Sequence, residues 1–376
     1  MLYVKPDYFD KFACVADQCE ATCCAGWQIV IDEEARERYK SEQGEYGTVL
    51  RERIDWEEGV FKQGCGKRCA FLKENNLCEM YQRLGEDSLC FTCTNYPRHI
   101  EEFENLREIS LTVSCPEVAR ILLEQKEPVH FTEEEIDEEE EEFEDFDLFF
   151  FSYLEDARKI LIALLQNREL PMAVRISLVR KMAEEMQDII EEGDLINLAD
   201  VLDAYEEEDS LRKVVRNTEQ ELKVFYEDKE KGFCYSKGVL ERFFWMEFLS
   251  EDWEDYLNRC KQTLYGEGIE AYHELQKGFK EYCAQERFDG VSMDIILEQL
   301  AVYFVFAYFC SAVYDDNIIG KIRMAVDSIT VLHEMFAAKW AEQDGFLSAN
   351  DIQKIVYRYS RELEHSDVNL EIIQNV

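Results

Sequence analysis

The chain has 376 residues, of which 41 are basic and 82 acidic, so its formal net charge at pH 7 is -41. Nucleic acids and anionic membrane surfaces are bound chiefly by Lys and Arg, so this acidic excess argues against both as partners. Hydrophobic residues make up 47% of the chain, with only 16 Gly and 5 Pro. This composition predicts a globular, mainly α protein of two or three domains.

Cysteines are concentrated near the N-terminus. Ten of the 14 lie within residues 1–115, at Cys14, Cys19, Cys23, Cys24, Cys65, Cys69, Cys78, Cys90, Cys93 and Cys115. The opening MLYVKPDYFD contains two acids and no long apolar run, so we do not expect a secretory signal. A cytoplasmic location would keep these thiols reduced, and a dense group of reduced thiols indicates metal binding or redox chemistry rather than disulfides.

The cysteine spacing is compatible with ligands of a metal. The pattern is C-x4-C-x3-C-C from Cys14, then C-x3-C-x8-C from Cys65, then C-x2-C at Cys90, then Cys115. Sulfur-only ligation selects zinc or an iron-sulfur cluster. Ten thiols exceed the four that one such centre needs, so we expect two centres or several free thiols. The alternative is that most of these cysteines are small buried hydrophobic residues.

Charge divides the chain into three predicted parts: a Cys-rich domain at 1–125, an acidic linker at 126–147 and a helical domain at 148–376. The first part has short strand-like pieces at 27–31 and 109–113 and little periodicity, so we expect a small irregular domain without an apolar core of its own, stabilised by bound metal. Residues 133–147 hold 12 acids in 15 positions, which predicts an extended, solvated segment. A docking site for a basic partner is the alternative for that segment.

Helical periodicity continues through the third part and predicts an all-α bundle. Ser348 and Asp351 form an approximate capping box. The longest apolar stretch, residues 300–314, has only 15 residues including Ser311, which predicts a central core helix and no membrane insertion. The predicted helices span 148–166, 174–189, 195–205, 211–227, 239–264, 268–286, 293–314, 318–340 and 348–365.

Several strings resemble the flagellin lysine N-methylase family. They are FACVADQCEATCCAGWQIVID, CAFL, LCEMY, LCFTCTNYPRHI, LTVSCPEVAR and, near the C-terminus, YRYSRELEHSD. The CxxxCC opening is also similar to a broader group of small zinc- or iron-chelating domains. The resemblance implies S-adenosylmethionine-dependent methylation of flagellin lysines in the cytoplasm, and a bound metal centre, either a four-iron (4Fe-4S) cluster or zinc. The metal ligands that it implies are Cys14, Cys19, Cys23, Cys24, Cys69, Cys78, Cys90, Cys93 and Cys115.

Cys65 is outside the family pattern and is either a substitute ligand or a free thiol. Within the CTNYPRHI string, Arg98 is expected to pack or pair beside the metal centre, and His99 is a further candidate ligand. Arg361, Glu364 and His365 share one face of the last predicted helix, one turn after Arg358. That face either has a structural role, as a salt bridge or a helix cap, or a functional one, such as holding a carboxylate or contacting the Cys-rich region.

The catalytic base and the S-adenosylmethionine site cannot be identified from the residues. The glycine pair Gly266 and Gly268 opens a helix without a preceding strand, so a doubly wound nucleotide fold is not supported. The three-Cys spacing CxxxCxxC of radical enzymes is also absent. We therefore predict a protein-lysine N-methyltransferase with flagellin or another lysine-rich protein as substrate. The alternative is a non-enzymatic metal-binding or redox module with a helical docking scaffold.

Overall fold

The computed structural model describes residues 1–138, 143–144, 146–285 and 288–375. Within these ranges the chain forms six β-strands and 16 α-helices. The predicted mainly α fold is therefore confirmed.

The N-terminal part contains a four-stranded sheet and a small hairpin. The sheet has the order β4-β5-β1-β6, in which β1 runs parallel to β5 and antiparallel to β6. Strands β4 and β5 form a hairpin, and β2 pairs with β3 in the separate two-stranded sheet. The strands are β1 (Leu2–Pro6), β2 (Ile54–Asp55), β3 (Val60–Phe61), β4 (Arg98–Phe103), β5 (Leu106–Leu111) and β6 (Phe131–Glu135). The strand-like stretch predicted at 109–113 overlaps β5, whereas 27–31 contributes only an isolated bridge from Val30 to Val60.

The N-terminal part also contains five short helices. They are α1 (Glu33–Ser41), α2 (Gly44–Arg53), α3 (Glu79–Leu84), α4 (Phe91–Asn95) and α5 (Pro116–Leu123). Asp32 caps α1 by accepting a hydrogen bond of 2.8 Å from the Ala35 amide. Buried side chains that include Ile31, Tyr39 and Phe71 form a core separate from that of the helical body. The expectation that this region lacks an apolar core is thus wrong, because its buried residues come from scattered segments that show no local period.

The acidic segment also differs from the prediction. Residues 131–135 form β6, whose Glu133 lies opposite Val4 of β1, so this stretch belongs to the sheet and is not a free linker. Its side chains are largely exposed, as expected for a charged edge strand. Residues 139–142 and 145 lie outside the described residues. The three-part division of the chain stays a prediction, although the core of the helical body extends continuously to Val4 and Leu122.

The helices of the third part are α6 (Leu148–Leu165), α7 (Met172–Glu192), α8 (Leu198–Glu206), α9 (Glu208–Glu227), α10 (Lys229–Arg242), α11 (Trp253–Tyr265), α12 (Ile269–Cys283), α13 (Met293–Tyr308), α14 (Ile318–Glu342), α15 (Ala349–Glu364) and α16 (Asp367–Asn375). The capping box of Ser348 and Asp351 at α15 is confirmed. Most predicted helices match these bounds within a few residues. The end of the helix predicted at 268–286 lies partly outside the described residues.

One predicted helix was wrong and one helix was missed. The single helix predicted at 239–264 covers only the end of α10, whose residues 229–238 were not predicted as helical, and most of α11. The two helices are separated by an irregular stretch that begins after a short 3-10 turn. The buried Glu362 carboxylate accepts hydrogen bonds from the amides of Leu249 and Ser250, at 2.7 and 2.9 Å, and Asn369 accepts one from Glu247. These tertiary contacts replace the helical bonds that the break removes. Asn369 belongs to α16, which was not predicted.

The long apolar helix α13 lies in the core. Together with the 3-10 turn that follows, Met293–Tyr314 is long and apolar enough to cross a membrane by composition alone, but 89% of its 18-residue apolar window is buried inside the protein. Its one carboxylate at the centre of the packing, Glu298, pairs with Arg168 and Arg175, each at 2.8 Å. The position of α13 confirms the predicted core helix.

Candidate metal centre and its seam with the C-terminal helix

Five of the nine predicted ligands lie together within the small N-terminal core, and we call them the inner thiol group: Cys24, Cys69, Cys78, Cys90 and Cys93. The Cys69 amide donates a hydrogen bond of 2.8 Å to the Cys24 carbonyl, and Cys78 itself forms an isolated antiparallel bridge with Leu72. Cys90 and Cys93 lie one turn apart at the start of α4. Burial raises the pKa of Cys69 to about 12, and the nearby charges of Cys24, Cys78 and Cys90 act in the same direction.

The other four predicted ligands, Cys14, Cys19, Cys23 and Cys115, form a second set that we call the seam thiol group. Burial raises the pKa of Cys115, and the neighbouring thiolates of Cys19 and Cys14 raise it too. The pKa of Cys23 is raised by a hydrogen bond to Cys24, and then by burial and the charges of Cys24, Cys14 and Cys115. Cys14 is exposed, while Cys115 is buried in the core of the helical body. This group is therefore partly open to solvent.

Cys23 and Cys24 are the point at which the two groups meet. The Cys23 thiol donates to Cys24, and this bond lowers the pKa of Cys24 to about 7. In the inner group Cys93 likewise donates to Cys90, which lowers the pKa of Cys90. Each bond places a proton between two sulfurs that would otherwise repel each other as thiolates.

The thiols are close, but they are not arranged as a finished ligand set. Among the residues that the structure describes, no group of three or more His, Cys, Asp or Glu side chains is positioned to hold one metal ion. The chemistry of both groups still fits a thiophilic metal. Several buried thiols that raise one another's pKa disfavour the thiolate form, and a bound cation reverses that balance by pairing with the sulfur charges.

Three other residues singled out in the sequence are Cys65, His99 and Arg98. Cys65 is exposed and lies on a 3-10 turn at Cys65–Lys67. His99 directs Nε2 to the Glu101 carboxylate at 2.8 Å and packs its ring on Tyr308. The Arg98 guanidinium lies over the Phe9 ring at 5.9 Å. The structure thus gives His99 a carboxylate partner rather than a thiol neighbour.

Arg361, Glu364 and His365, which the sequence placed on one face of the last predicted helix, contact the Cys-rich region. We call this contact the seam. Arg361 donates through Nε to the Ser114 carbonyl at 2.9 Å and through Nη2 to the Ala21 carbonyl at 2.6 Å. His365 Nε2 lies 3.0 Å from the Ser114 hydroxyl. Glu364 accepts a hydrogen bond of 2.8 Å from Thr112. The predicted contact of this face with the Cys-rich region is therefore observed, and His365 is also the C-cap residue of α15.

Glu364 also joins the seam to the core helix α13. Its Oε2 accepts a hydrogen bond of 2.5 Å from the Tyr303 hydroxyl, and its Oε1 accepts one of 2.6 Å from Ser360. Arg358, one turn before Arg361, instead pairs with Asp252 at 2.9 Å. Sequence reasoning did not single out Tyr303, because it is one of many aromatic residues in an apolar run.

Three rings meet beside the seam thiol group. The His365 ring centroid is 4.7 Å from that of Trp27 and 6.1 Å from that of Tyr96. Trp27 also donates through Nε1 to the Cys23 carbonyl at 2.7 Å. Burial, followed by the charge of Arg361, lowers the pKa of His365 to about 3. His365 is therefore neutral at pH 7 and too weak a base to take a proton from an ammonium group.

A cavity of about 770 Å³ lies between α7, the loop before α14, and α16. Its lining includes the carboxylates of Glu191, Asp315, Asp316, Asp367 and Glu371. One of these carboxylates, Asp315, already pairs with Lys321 at 2.6 Å. The cavity would attract a cationic side chain, but its negative charge would also raise the pKa of a bound amine. It is suited to attracting lysine and not to deprotonating it.

Comparison with known proteins places the chain in a family. A model of the FliB lysine N-methylase C-terminal domain matches residues 158–376. A lysine-N-methylase of Salmonella typhimurium is 28% identical over 141 residues, which are 35% of each chain. The flagellar biosynthetic protein FliU of Salmonella muenchen is 29% identical over 128 residues, 32% of this chain and 75% of that one.

The chain thus spans about a third of the length of the lysine-N-methylase that it matches. No solved structure matches it. The family model covers more than half of the chain, including the seam face of α15 and all helices from α7 onward. The match confirms the resemblance seen in the sequence: the protein belongs to the FliB lysine N-methylase family.

Proposed function

We propose that this protein is an S-adenosylmethionine-dependent protein-lysine N-methyltransferase that acts on surface lysines of flagellin. The observation that carries the proposal is the family match over 158–376. The seam supports it, because Arg361 and His365 within that matched region bind the Cys-bearing segments directly. The helical part and the Cys-rich part would therefore act as one unit.

The seam is our candidate for the cofactor site. When bound, S-adenosylmethionine would supply a methyl group on a positively charged sulfonium. The rings of Trp27, Tyr96 and His365 offer aromatic faces, which attract such a cation. Because His365 is neutral at pH 7, it adds no positive charge that would repel the sulfonium.

The carboxylate-lined cavity between α7 and α16 is our candidate for the first encounter with the substrate. A lysine amine reacts only when neutral, and the cavity favours the charged form. The cavity would thus concentrate lysine-rich segments near the protein, and deprotonation would take place elsewhere. The net charge of -41 favours the same class of basic partner.

The metal centre is proposed to be held by the inner and seam thiol groups, as iron-sulfur or zinc. Sulfur donors suit both, and the inner group lies in an apolar core where bound metal would add folding free energy. We assign the protein to the cytoplasm, where flagellin is available and thiols stay reduced. The flagellar substrate is supported by the name of one relative, a flagellar biosynthetic protein.

The decisive experiment incubates the purified full chain, with its metal content measured, with flagellin and S-adenosylmethionine. Intact mass spectrometry should show additions of about 14 Da per methyl group, located on lysines by peptide mapping. A metal-replete protein that binds S-adenosylmethionine but methylates no lysine-rich protein refutes the substrate. A protein that binds metal but not S-adenosylmethionine supports the alternative of a non-enzymatic metal-binding or redox module.

A further inference from the structure

Three hydroxyls and one carboxylate form a continuous hydrogen-bonded chain beside the three rings of the seam. The Tyr96 hydroxyl lies 3.0 Å from Ser114 Oγ, which lies 3.0 Å from Thr112 Oγ1. Thr112 Oγ1 lies 2.8 Å from Glu364 Oε2. Ser114 is fully buried and Thr112 is 9% exposed, whereas Tyr96 and Glu364 are half-buried. The chain therefore connects the group of rings to a carboxylate through the interior of the protein.

The hydrogens of this chain can all point in the same direction. Thr112 has a single hydroxyl hydrogen, and an ionised carboxylate can only accept, so that hydrogen goes to Glu364. The Ser114 hydroxyl then donates to Thr112 and accepts from Tyr96. The second lone pair of Ser114 Oγ accepts from His365 Nε2, which is a donor in one tautomer of the neutral ring. The hydrogens are thus ordered from Tyr96 towards Glu364 without a conflict between donors.

The carboxylate at the end of the chain is held in a fixed orientation. Tyr303 donates to its Oε2 at 2.5 Å, and Ser360 donates to its Oε1 at 2.6 Å. With Thr112, three hydroxyls from three different segments bind Glu364. Because Glu364 is only half-buried, a proton that it accepts can return to water.

A lysine must lose one proton before it can accept a methyl group, because the protonated amine has no free electron pair. Neither His365, which is too weak a base, nor the acidic cavity, which favours the charged amine, can remove that proton. Burial raises the pKa of Tyr96, so its hydroxyl gives up its hydrogen only if it receives another at the same time. A hydroxyl of this kind can pass protons on but does not store a charge.

We propose that Tyr96 is a catalytic residue that takes the proton of the substrate lysine, and that Ser114, Thr112 and Glu364 act through it as a proton relay. The inference rests on the proposed methyl transfer and adds to it the groups that remove the proton. They come from both parts of the chain that the seam joins.

The proton transfer balances as follows. An N–H bond of the lysine ammonium breaks, and its proton forms an O–H bond at Tyr96 while Tyr96 passes its own hydrogen to Ser114. Ser114 and Thr112 each pass one hydrogen on, and Glu364 becomes a carboxylic acid. The neutral amine then uses its electron pair to bond the methyl group, and the bond from methyl to the sulfonium sulfur breaks with its electron pair left on sulfur. Glu364 afterwards releases its proton to water.

Other titratable groups also act on Glu364 from the elements packed around it. They are Tyr8, His99, Tyr303, Tyr308 and Tyr359, in addition to Arg361 and His365 on its own helical face. The test compares each variant with the wild type at the same pH. Titrations that the two proteins share therefore cancel in the ratio of their rates.

The test measures methylation of flagellin by the full chain, with the metal content of every variant matched to that of the wild type. Tyr96→Phe, Thr112→Val and Glu364→Gln each interrupt the relay while keeping the shape of the side chain, and Thr112→Ser is the conservative variant that keeps the hydroxyl. Tyr226→Phe and Glu342→Gln are matched controls at exposed positions outside the seam. Calorimetry of S-adenosylmethionine binding is the second readout.

The three interrupting variants should lower kcat at pH 7 by about 100-fold or more. Their KM and their affinity for S-adenosylmethionine should stay within about threefold of the wild type, and Thr112→Ser should keep most of the activity. Without the relay, only amine that is already neutral reacts, and that fraction grows about tenfold per pH unit towards the lysine pKa of about 10.4. The deficit should therefore shrink steeply between pH 7 and pH 10.

A deficit of the same size at every pH indicates a merely structural role and overturns the relay. A wild-type kcat in Tyr96→Phe or in Glu364→Gln overturns it as well. If circular dichroism shows that one interrupting variant does not fold, the other two decide by the same criteria. A wild type that methylates no lysine overturns the relay together with the proposed function, whereas an active wild type with fully active variants overturns the relay alone.

Discussion

A buried carboxylate in the helical body gives a quantitative prediction about stability and pH. Glu334 on α14 is 4% exposed and accepts hydrogen bonds from the hydroxyls of Tyr265 and Tyr272, at 2.9 and 3.0 Å, and from the Gln276 amide at 3.0 Å. Burial raises its pKa from 4.5 to about 7, against the opposing effect of these three bonds. The folded protein therefore prefers Glu334 protonated.

The sign and size of the effect follow from this shift. Because the folded pKa lies above the unfolded one, the stabilisation is complete below about pH 4.5 and is lost as the pH rises through about 7. At about 1.4 kcal/mol per pH unit between the two pKa values, ionisation of Glu334 costs roughly 3 kcal/mol at pH 8. Glu334→Gln keeps the shape and an acceptor oxygen but cannot ionise, so it avoids this cost.

The assay is urea unfolding of the wild type, Glu334→Gln and Glu342→Gln between pH 4.5 and 8. Glu342 is exposed on the same helix. Glu342→Gln therefore removes the same charge as Glu334→Gln, but from a side chain that is not buried. The free energy of unfolding of the wild type and of Glu342→Gln should fall by roughly 3 kcal/mol more over this range than that of Glu334→Gln. Parallel pH profiles for all three proteins would refute the reasoning.

Three further changes test the core and the seam. Glu298→Ala leaves the buried Arg175 unpaired and should lower the free energy of unfolding by about 3–5 kcal/mol in urea; a loss below about 1 kcal/mol would contradict a desolvated pair. Trp27→Ala should weaken S-adenosylmethionine binding about tenfold by calorimetry, whereas Trp27→Phe should keep most of it; equal affinities of Trp27→Ala and the wild type argue against the aromatic site. Cys93→Ser should lose bound metal while Cys65→Ser retains it, and equal metal content in the two variants would disprove the ligand assignment.

Local sequence patterns were sufficient for most of the helical body. The apolar stripe of α7, the capping box at Ser348 and the length of the run in α13 depend on near neighbours in the chain, so they could be interpreted without a fold. The break between α10 and α11 could not be predicted in this way, because it is stabilised by Glu362, which is more than 100 residues away in the chain. Strand β6 was missed for a related reason. Its acidic composition indicates that its side chains are exposed, but it gives no sign that its backbone pairs with β1.

The sequence by itself determined that the chain is mainly helical, that its thiols are gathered near one end, and that Arg361, Glu364 and His365 share a face. Only the tertiary structure decided what that face contacts and how the thiols divide. Cys23 and Cys24 are adjacent in the chain, yet one belongs to the seam thiol group and the other to the inner thiol group. The spacing of cysteines in the sequence shows which of them are near one another along the backbone. Cys115 joins the seam thiol group only because distant parts of the chain pack together.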